Sequence, residues 1–143
     1  MEDRLDIVDG LLVLPFPAED TVEGDRSSGP GYHLCALQAS RDFWDDDGAE
    51  VIEAAAEEID TALQALVAAL TARWGGPEPI DLGPYLWGES EVPEPVNRLC
   101  QLSGEMLVWR RPDAGRWVAL CVGQGDREFP IELLAAVGET PVP

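Results

Sequence analysis

The sequence predicts an α+β domain in which one long amphipathic helix packs on an antiparallel sheet of about four to six strands. Two observations carry this prediction. Apolar residues recur at helical spacing over about residues 48–74, and three apolar segments separated by turn residues occupy the last third of the chain. A helix on one face of an antiparallel sheet gives two layers. We therefore expect a single two-layer domain over 1–143, a length that one domain accommodates.

The long helix is the clearest element. From Glu50 to Trp74 the apolar residues recur every three or four positions, which places them on one side of a helix: Ile52, Ala56, Ile59, Leu63, Leu66, Val67, Leu70 and Trp74. Asp47 is suited to the N-cap position, and Glu50, three residues later, would complete a capping box. Gly75-Gly76-Pro77 would end the helix. At about 1.5 Å per residue, such a helix is about 40 Å long and crosses the whole domain.

The N-terminal part is predicted to supply strands on either side of a mobile loop. Residues Leu5 to Phe16 are mostly apolar and indicate β structure, either a tight hairpin turning at Asp9-Gly10 or one long strand with a bulge at Gly10. Residues 17–31 lack periodicity and are rich in Gly, Ser, Pro and acidic side chains, so we expect a mobile loop there. Tyr32 to Ala39 is predicted to be a strand buried on much of both faces.

Proline governs the prediction for residues 75–95. The segment contains five prolines, which exclude a helix interior or a central strand, so we expect irregular chain. Pro95 is suited to begin a short helix that runs through Leu102. The C-terminal three-stranded meander follows, with predicted strands at Glu105–Arg111, Arg116–Val122 and Glu128–Val137. Pro130 predicts an edge position or a bulge for the last of these strands.

The first hairpin of the meander carries aromatic and basic residues. Trp109 and Trp117 lie on its two strands, and we expect them to pair across the strands. Arg110, Arg111 and Arg116 gather around the same turn and form the one basic spot in the sequence. Their charge would allow salt bridges to the acidic helix of the same chain or of a second copy.

Charge restricts the classes of partner. The formal net charge is −19, from 28 acidic residues against nine basic ones, all of which are Arg. Through residue 60 there are 17 acidic residues and three Arg. Direct binding to nucleic acid or to an anionic membrane surface needs clustered cations, so we exclude both and expect a basic protein as partner. No apolar run approaches the roughly 18 residues of a membrane span.

The cysteines and the start of the chain favour the cytoplasm. Cys35, Cys100 and Cys121 are widely spaced and odd in number, which argues against a disulfide framework. The opening residues Met1-Glu2-Asp3-Arg4 are acidic where a secretory signal would be basic.

Acidic residues around the start of the long helix form the candidate binding site. They are Asp45, Asp46, Asp47, Glu50, Glu53, Glu57 and Asp60. The last four follow one another at spacings of three, four and three, which places them in one stripe of the helix, and no Arg lies three or four residues away within it. Three interpretations stay open: a face for a basic partner, a plain solvated face, or a metal site.

A calcium-binding loop is rejected as the form of that metal site. Such a loop places ligands at positions 1, 3, 5 and 12 around a glycine at position 6. Anchoring it on Gly48 puts Phe43 at position 1 and Ala54 at position 12, so two essential ligands are missing. No catalytic, metal or cofactor site is therefore assigned.

His33 and Cys35 lie two residues apart and so share one face of the predicted strand. They are compatible with a thiolate–imidazole pair or half a zinc site, but a lone histidine beside core cysteines explains the pattern better. Walker and serine-elbow motifs are absent from the sequence.

The function expected from these features is a small, acidic, non-enzymatic protein-binding domain. An inhibitor, immunity protein or antitoxin that covers a basic partner fits this description, because complementary charge speeds association. The alternatives are an acidic chaperone or adaptor acting as a homodimer, a nucleic-acid mimic, and an enzyme that uses Cys35 and His33 or carboxylates.

Overall fold

A computed structural model describes residues 2–40, 48–88, 92–111, 113–124 and 129–139. The α+β class is confirmed. The helices are α1 Glu2–Val13, α2 Ala49–Trp74, α3 Gly83–Trp87 and α4 Val96–Leu102. The strands are β1 Thr21–Glu23, β2 Arg26–Gly29, β3 Tyr32–Ala39, β4 Glu78–Asp81, β5 Glu105–Arg111, β6 Arg116–Gly123 and β7 Glu132–Glu139.

The described strands form one sheet of seven, in the order β1-β2-β3-β7-β6-β5-β4, and every neighbouring pair is antiparallel. The expected count of four to six is exceeded because two segments predicted to be irregular supply edge strands. The predicted meander is present as β5, β6 and β7. Its last strand lies between β3 and β6, so the edge position predicted from Pro130 is wrong. Pro130 precedes the start of β7 at Glu132 and costs that strand no hydrogen bond.

The prediction of β structure for Leu5 to Phe16 is wrong, because this segment contains most of helix α1. Val8 and Leu11 are buried against the sheet, and Leu5 and Leu12 pack beside them, a spacing of three and four that suits a helix. A short, mostly apolar segment is compatible with both helical and strand periodicity, so periodicity alone cannot distinguish the two. Helix α1 ends at Val13, two residues before Pro15, as expected where proline disfavours helical backbone.

The prediction of a mobile loop for residues 17–31 is also wrong for residues 21–29, which form two strands. Strands β1 and β2 form a hairpin in which Glu23 pairs with Arg26 across a turn at Gly24 and Asp25. Gly24 has φ +59, a left-handed conformation that glycine adopts without steric cost. All three residues of β1 are exposed. Strand β1 lies at the edge of the sheet and is fully exposed, which suits its polar residues, whereas Ser28 and Gly29 of β2 are buried.

Residues 75–95 contain more regular structure than predicted. Strand β4 pairs with β5 at the other edge of the sheet, where a strand tolerates a proline such as Pro79. Helix α3 has Pro84 in its first turn, where proline removes no helical hydrogen bond. The short helix predicted after Pro95 is confirmed as α4, with Val96, Leu99 and Cys100 buried.

Both faces of the sheet are covered, so the protein has a third layer beyond the two predicted. Helices α1 and α2 pack on one face, against Val118, Leu120 and Val137 among others. Helix α4 and the chain around α3 pack on the opposite face, against Trp117, Ala119 and Cys121. Side chains alternate between the faces along β6, which explains its nearly continuous burial.

The expected pairing of Trp109 with Trp117 is wrong. In the β5–β6 register Trp109 lies opposite Val118, while Trp117 lies opposite Arg110. The two indoles therefore point to opposite faces of the sheet and enter different cores. The predicted strand bounds already set Arg111 opposite Arg116, and this register places Trp109 one residue away from the position opposite Trp117.

Candidate functional site

Helix α2 carries the acidic stripe on the side away from the sheet. Its buried residues are Ile59, Leu66 and Leu70, as the apolar pattern predicts. The four carboxylates Glu50, Glu53, Glu57 and Asp60 are all exposed, and these four residues are called the α2 acidic face below. The predicted stripe is therefore present as a surface.

The start of α2 differs from the prediction. Its N-cap is Gly48, which makes no side-chain hydrogen bond to the helix, in place of the predicted Asp47. The candidate residues Asp45, Asp46 and Asp47 lie outside the described residues.

Within the described part of the chain, no arginine forms an ion pair with the α2 acidic face. Of its four carboxylates, that of Asp60 accepts a hydrogen bond from the Gln64 side-chain amide at 3.5 Å. Carboxylates three and four residues apart on a helix repel one another by about 0.2–0.5 kcal/mol per pair. Among the described residues, the α2 acidic face is thus electrostatically unfavourable.

The arginines that could neutralise this face are engaged elsewhere. Arg73 of α2 pairs with Asp9 of α1 at 2.9 Å, and Arg110 pairs with Glu78 at 2.9 Å. The other described arginines contact Gln38 (from Arg4), Glu23 (Arg26), Glu94 (Arg98), Asp113 (Arg111) and the Leu11 carbonyl (Arg116). Each of the seven described arginines therefore has a partner away from the α2 acidic face.

The predicted basic spot does not form a cluster. Arg110 points to the α4 side of the sheet, while Arg111 and Arg116, which are paired across β5 and β6, point to the α1–α2 side. The Arg111 guanidinium lies 4.8 Å from the Trp74 ring centroid, and that of Arg116 lies 3.9 Å from the Phe16 ring centroid. The expected salt bridges from these residues to the acidic helix of the same chain are absent among the described residues.

His33 is bound on both ring nitrogens, and Cys35 is not its partner. His33 Nε2 lies 3.0 Å from the Leu14 carbonyl oxygen, and Nδ1 lies 2.6 Å from Ser28 Oγ. Because a carbonyl only accepts, Nε2 carries the hydrogen, and in the neutral ring Nδ1 accepts from the Ser28 hydroxyl. Burial lowers the pKa of His33, and the charges of Arg116 and Arg26 lower it further, against the raising effect of the Leu14 carbonyl.

Ser28 was missed by the sequence analysis, since it lies in a polar stretch predicted to be a loop. It is 3% exposed and His33 is 1% exposed, so neither meets solvent. The Phe16 ring lies against the imidazole, with 4.9 Å between the ring centroids. The hydrogen bonds of His33 to Ser28 and to the Leu14 carbonyl join β3 to β2 and to the segment after α1. His33 therefore has a structural role.

The cysteines do not have the character of nucleophiles. All three are free and buried. Burial raises the pKa of each thiol, that of Cys121 to about 12. A thiol of raised pKa stays protonated at neutral pH and reacts slowly.

Two other site classes can be checked over the described ranges. No group of three or more His, Cys, Asp or Glu side chains there is placed to hold a metal ion. No helix in those ranges combines the length and the apolar character that crossing a membrane requires. Compared with models of protein families, with curated proteins and with solved structures, the chain matches none.

Proposed function

We propose that the protein is a non-enzymatic binding domain whose α2 acidic face docks a basic protein. One observation carries the proposal. Four exposed carboxylates share one side of α2, and each described arginine has its contact elsewhere. Natural solvated helix faces usually interleave charges of both signs, and a basic partner would supply the missing one.

The geometry suits an extended basic surface. From Glu50 to Asp60 the face spans about 15 Å, at about 1.5 Å per residue. The negative charge of the whole chain, −19, would steer a basic partner towards it and raise the association rate. An inhibitor, immunity protein or antitoxin that covers a basic target is the class we favour. The three free thiols fit a reducing compartment such as the cytoplasm.

A capture experiment at low and high salt tests the proposal. We expect basic proteins to be retained from native lysate at low salt and released at high salt, because exposed charge pairs are screened. The variant Glu53→Gln/Glu57→Gln should weaken capture on the order of tenfold, equivalent to ~1.4 kcal/mol. The matched control is Glu19→Gln/Glu105→Gln, which has the same net charge and changes exposed carboxylates elsewhere.

Three results would contradict the proposal. They are retention of no basic protein, equal loss of capture in both variants, and displacement of the captured protein by DNA. Equal loss would assign the effect to net charge alone. Displacement by DNA would favour a nucleic-acid mimic. A stable dimer that copurifies with a larger, non-basic client would instead favour the chaperone or adaptor.

A further inference from the structure

A groove lies between helix α1 and the β1–β2 hairpin, on the face of the sheet that carries α1 and α2. Helix α1 packs over β3 and β7, and α2 packs over β6 and β7. Strands β1 and β2 extend the sheet beyond both helices. The resulting space has a volume of about 360 Å³ and is open to solvent.

One wall and the floor of the groove are apolar. Ile7, Leu11 and Leu14 of the α1 segment line it, together with Cys35 of β3. Ile7 is 39% exposed, while Leu11 and Cys35 are almost fully buried beneath it. A partner that covers this apolar surface removes it from water, which makes the free energy of binding more favourable by roughly 25 cal/mol per Å².

Gly10 keeps the groove wide at its centre. It lies inside α1 and lines the groove, and a Cβ at this position would meet no atom within 4 Å. Glycine inside a helix costs roughly 0.5–1 kcal/mol relative to alanine. The backbone conformation therefore does not require glycine here, and the space that its missing side chain leaves adds to the groove.

The rim of the groove is mostly negative. Glu23 and Arg26 form an ion pair on the hairpin side, and Asp25 lies beside them. Asp6 is exposed one helical turn before Gly10, hence on the same side of α1. Three carboxylates against one guanidinium complement a cationic segment.

We infer that this groove receives one large apolar side chain of a basic segment of the partner, with Lys or Arg flanking it against Asp6 and Asp25. The inference rests on the proposed function, since it takes the same basic partner. Interfaces are commonly anchored by one side chain in a pocket surrounded by weaker polar contacts. Binding sites for small molecules usually bury roughly 70–90% of the ligand surface. A groove this open to solvent would cover less than that.

The test uses two synthetic helical peptides of equal length and equal Lys content, one with Leu and the other with Ala along its apolar side. Each is titrated into isotope-labelled protein, and amide chemical shifts are followed. We expect the Lys/Leu peptide to bind on the order of tenfold more tightly. It should shift residues 7, 10, 11, 14 and 35, whereas the Lys/Ala peptide should shift the α2 acidic face alone.

Gly10 provides a matched pair of variants. Gly10→Trp should fill the groove, abolish the groove shifts and reduce the affinity for the Lys/Leu peptide to that for the Lys/Ala peptide. Gly10→Ala adds a single methyl group and should weaken Lys/Leu binding far less than Gly10→Trp does. Unfolding curves of both variants check that the fold is kept. Equal affinity of the two peptides, or Lys/Leu shifts that fall outside the groove, would overturn the inference.

Further control experiments distinguish a peptide from other occupants of the groove, and this inference from the proposed function. Saturation of the groove by hexanol alone would assign it to a small apolar ligand. Groove shifts that depend on protein concentration without peptide would assign it to a second copy, and either result overturns the inference. Unchanged Lys/Leu binding to Glu53→Gln/Glu57→Gln would support the groove and contradict the role of the α2 acidic face. Loss of binding in that variant, with Gly10→Trp binding as wild type, would contradict the groove alone.

Discussion

The indole of Trp117 lies against the backbone of Gly138, its cross-strand partner on β7. A Cβ at residue 138 would lie 2.7 Å from Trp117 Nε1 and closer still to two ring carbons. The same Nε1 donates a hydrogen bond to the Glu139 carbonyl at 3.0 Å. The ring is thus held flat across the strand, in space that only glycine leaves free.

Gly138→Ala should destabilise the protein by about 1–3 kcal/mol, because the methyl group forces a fully buried tryptophan to move. The measurement is the free energy of unfolding in denaturant. Gly10→Ala is the control, since its methyl group meets open space in a helix, and it should raise stability by roughly 0.5–1 kcal/mol. A neutral or stabilising Gly138→Ala would show that the indole does not occupy this position.

Ser28→Ala should cost about 1–3 kcal/mol, because it leaves His33 Nδ1 buried without a hydrogen-bond partner. Ser27→Ala is the control, since Ser27 is half-buried and its side chain points to the opposite face of the sheet. We expect a change within about 0.5 kcal/mol there. Equal effects of the two substitutions in thermal or denaturant unfolding would contradict the assigned hydrogen bond.

His33 should make stability fall in mild acid. Its pKa is lowered in the folded protein from an ordinary value of 6.5, mainly by burial. Well above pH 6.5 the ring is neutral in both states and contributes no pH dependence. As the pH falls below 6.5 the unfolded chain binds the proton first, so stability is lost towards the folded-state pKa. The slope cannot exceed about 1.4 kcal/mol per pH unit for one group.

The variant His33→Gln isolates this contribution from the many carboxylates. Glutamine does not titrate, and its amide retains a donor for the Leu14 carbonyl. The difference in unfolding free energy between wild type and variant should be constant well above pH 6.5 and should change as the pH falls through and below 6.5. A difference that stays constant from pH 8 to pH 5 would refute the lowered pKa.

Glu53→Gln/Glu57→Gln should stabilise the protein while weakening its binding. Glu50, Glu53, Glu57 and Asp60 form three successive pairs of like charge. Each pair contains at least one of the two substituted residues. Removing all three repulsions should raise the free energy of unfolding by about 0.6–1.5 kcal/mol at low salt, and by less at high salt. Residues that serve a function often lower stability, and replacing them then raises it. No gain relative to Glu19→Gln/Glu105→Gln would show that the α2 acidic face carries no strain.

Elements with a distinctive local pattern could be predicted from the sequence. Helix α2 needed only its spacing of apolar residues, and strands β3, β5 and β6 needed only short apolar runs between turn residues. Helix α1 could not be predicted, because its shape depends on packing between Leu11 and a sheet made much later in the chain. Strand β1 could not be predicted for a similar reason: its residues are all exposed, and they form a strand by pairing with β2.

The site could be predicted only in part, for a related reason. Spacing along one helix placed Glu50, Glu53, Glu57 and Asp60 together without any knowledge of the fold. The partner of His33 depended on the register of β2 against β3, which sets Ser28 opposite it. The groove beside Gly10 depended on the sheet extending beyond α1, a relation between elements that no local pattern contains.

The position of β7 beside β3 has a consequence for synthesis on the ribosome. Residues paired between these strands are 93 to 106 positions apart, so β3 emerges long before its neighbour. During that interval one edge of an apolar strand has no partner and could pair with another nascent chain. The first 60 residues carry 17 acidic side chains against three arginines, so two such chains repel each other. The same charge that would attract a basic partner thus keeps unfinished copies of the protein apart.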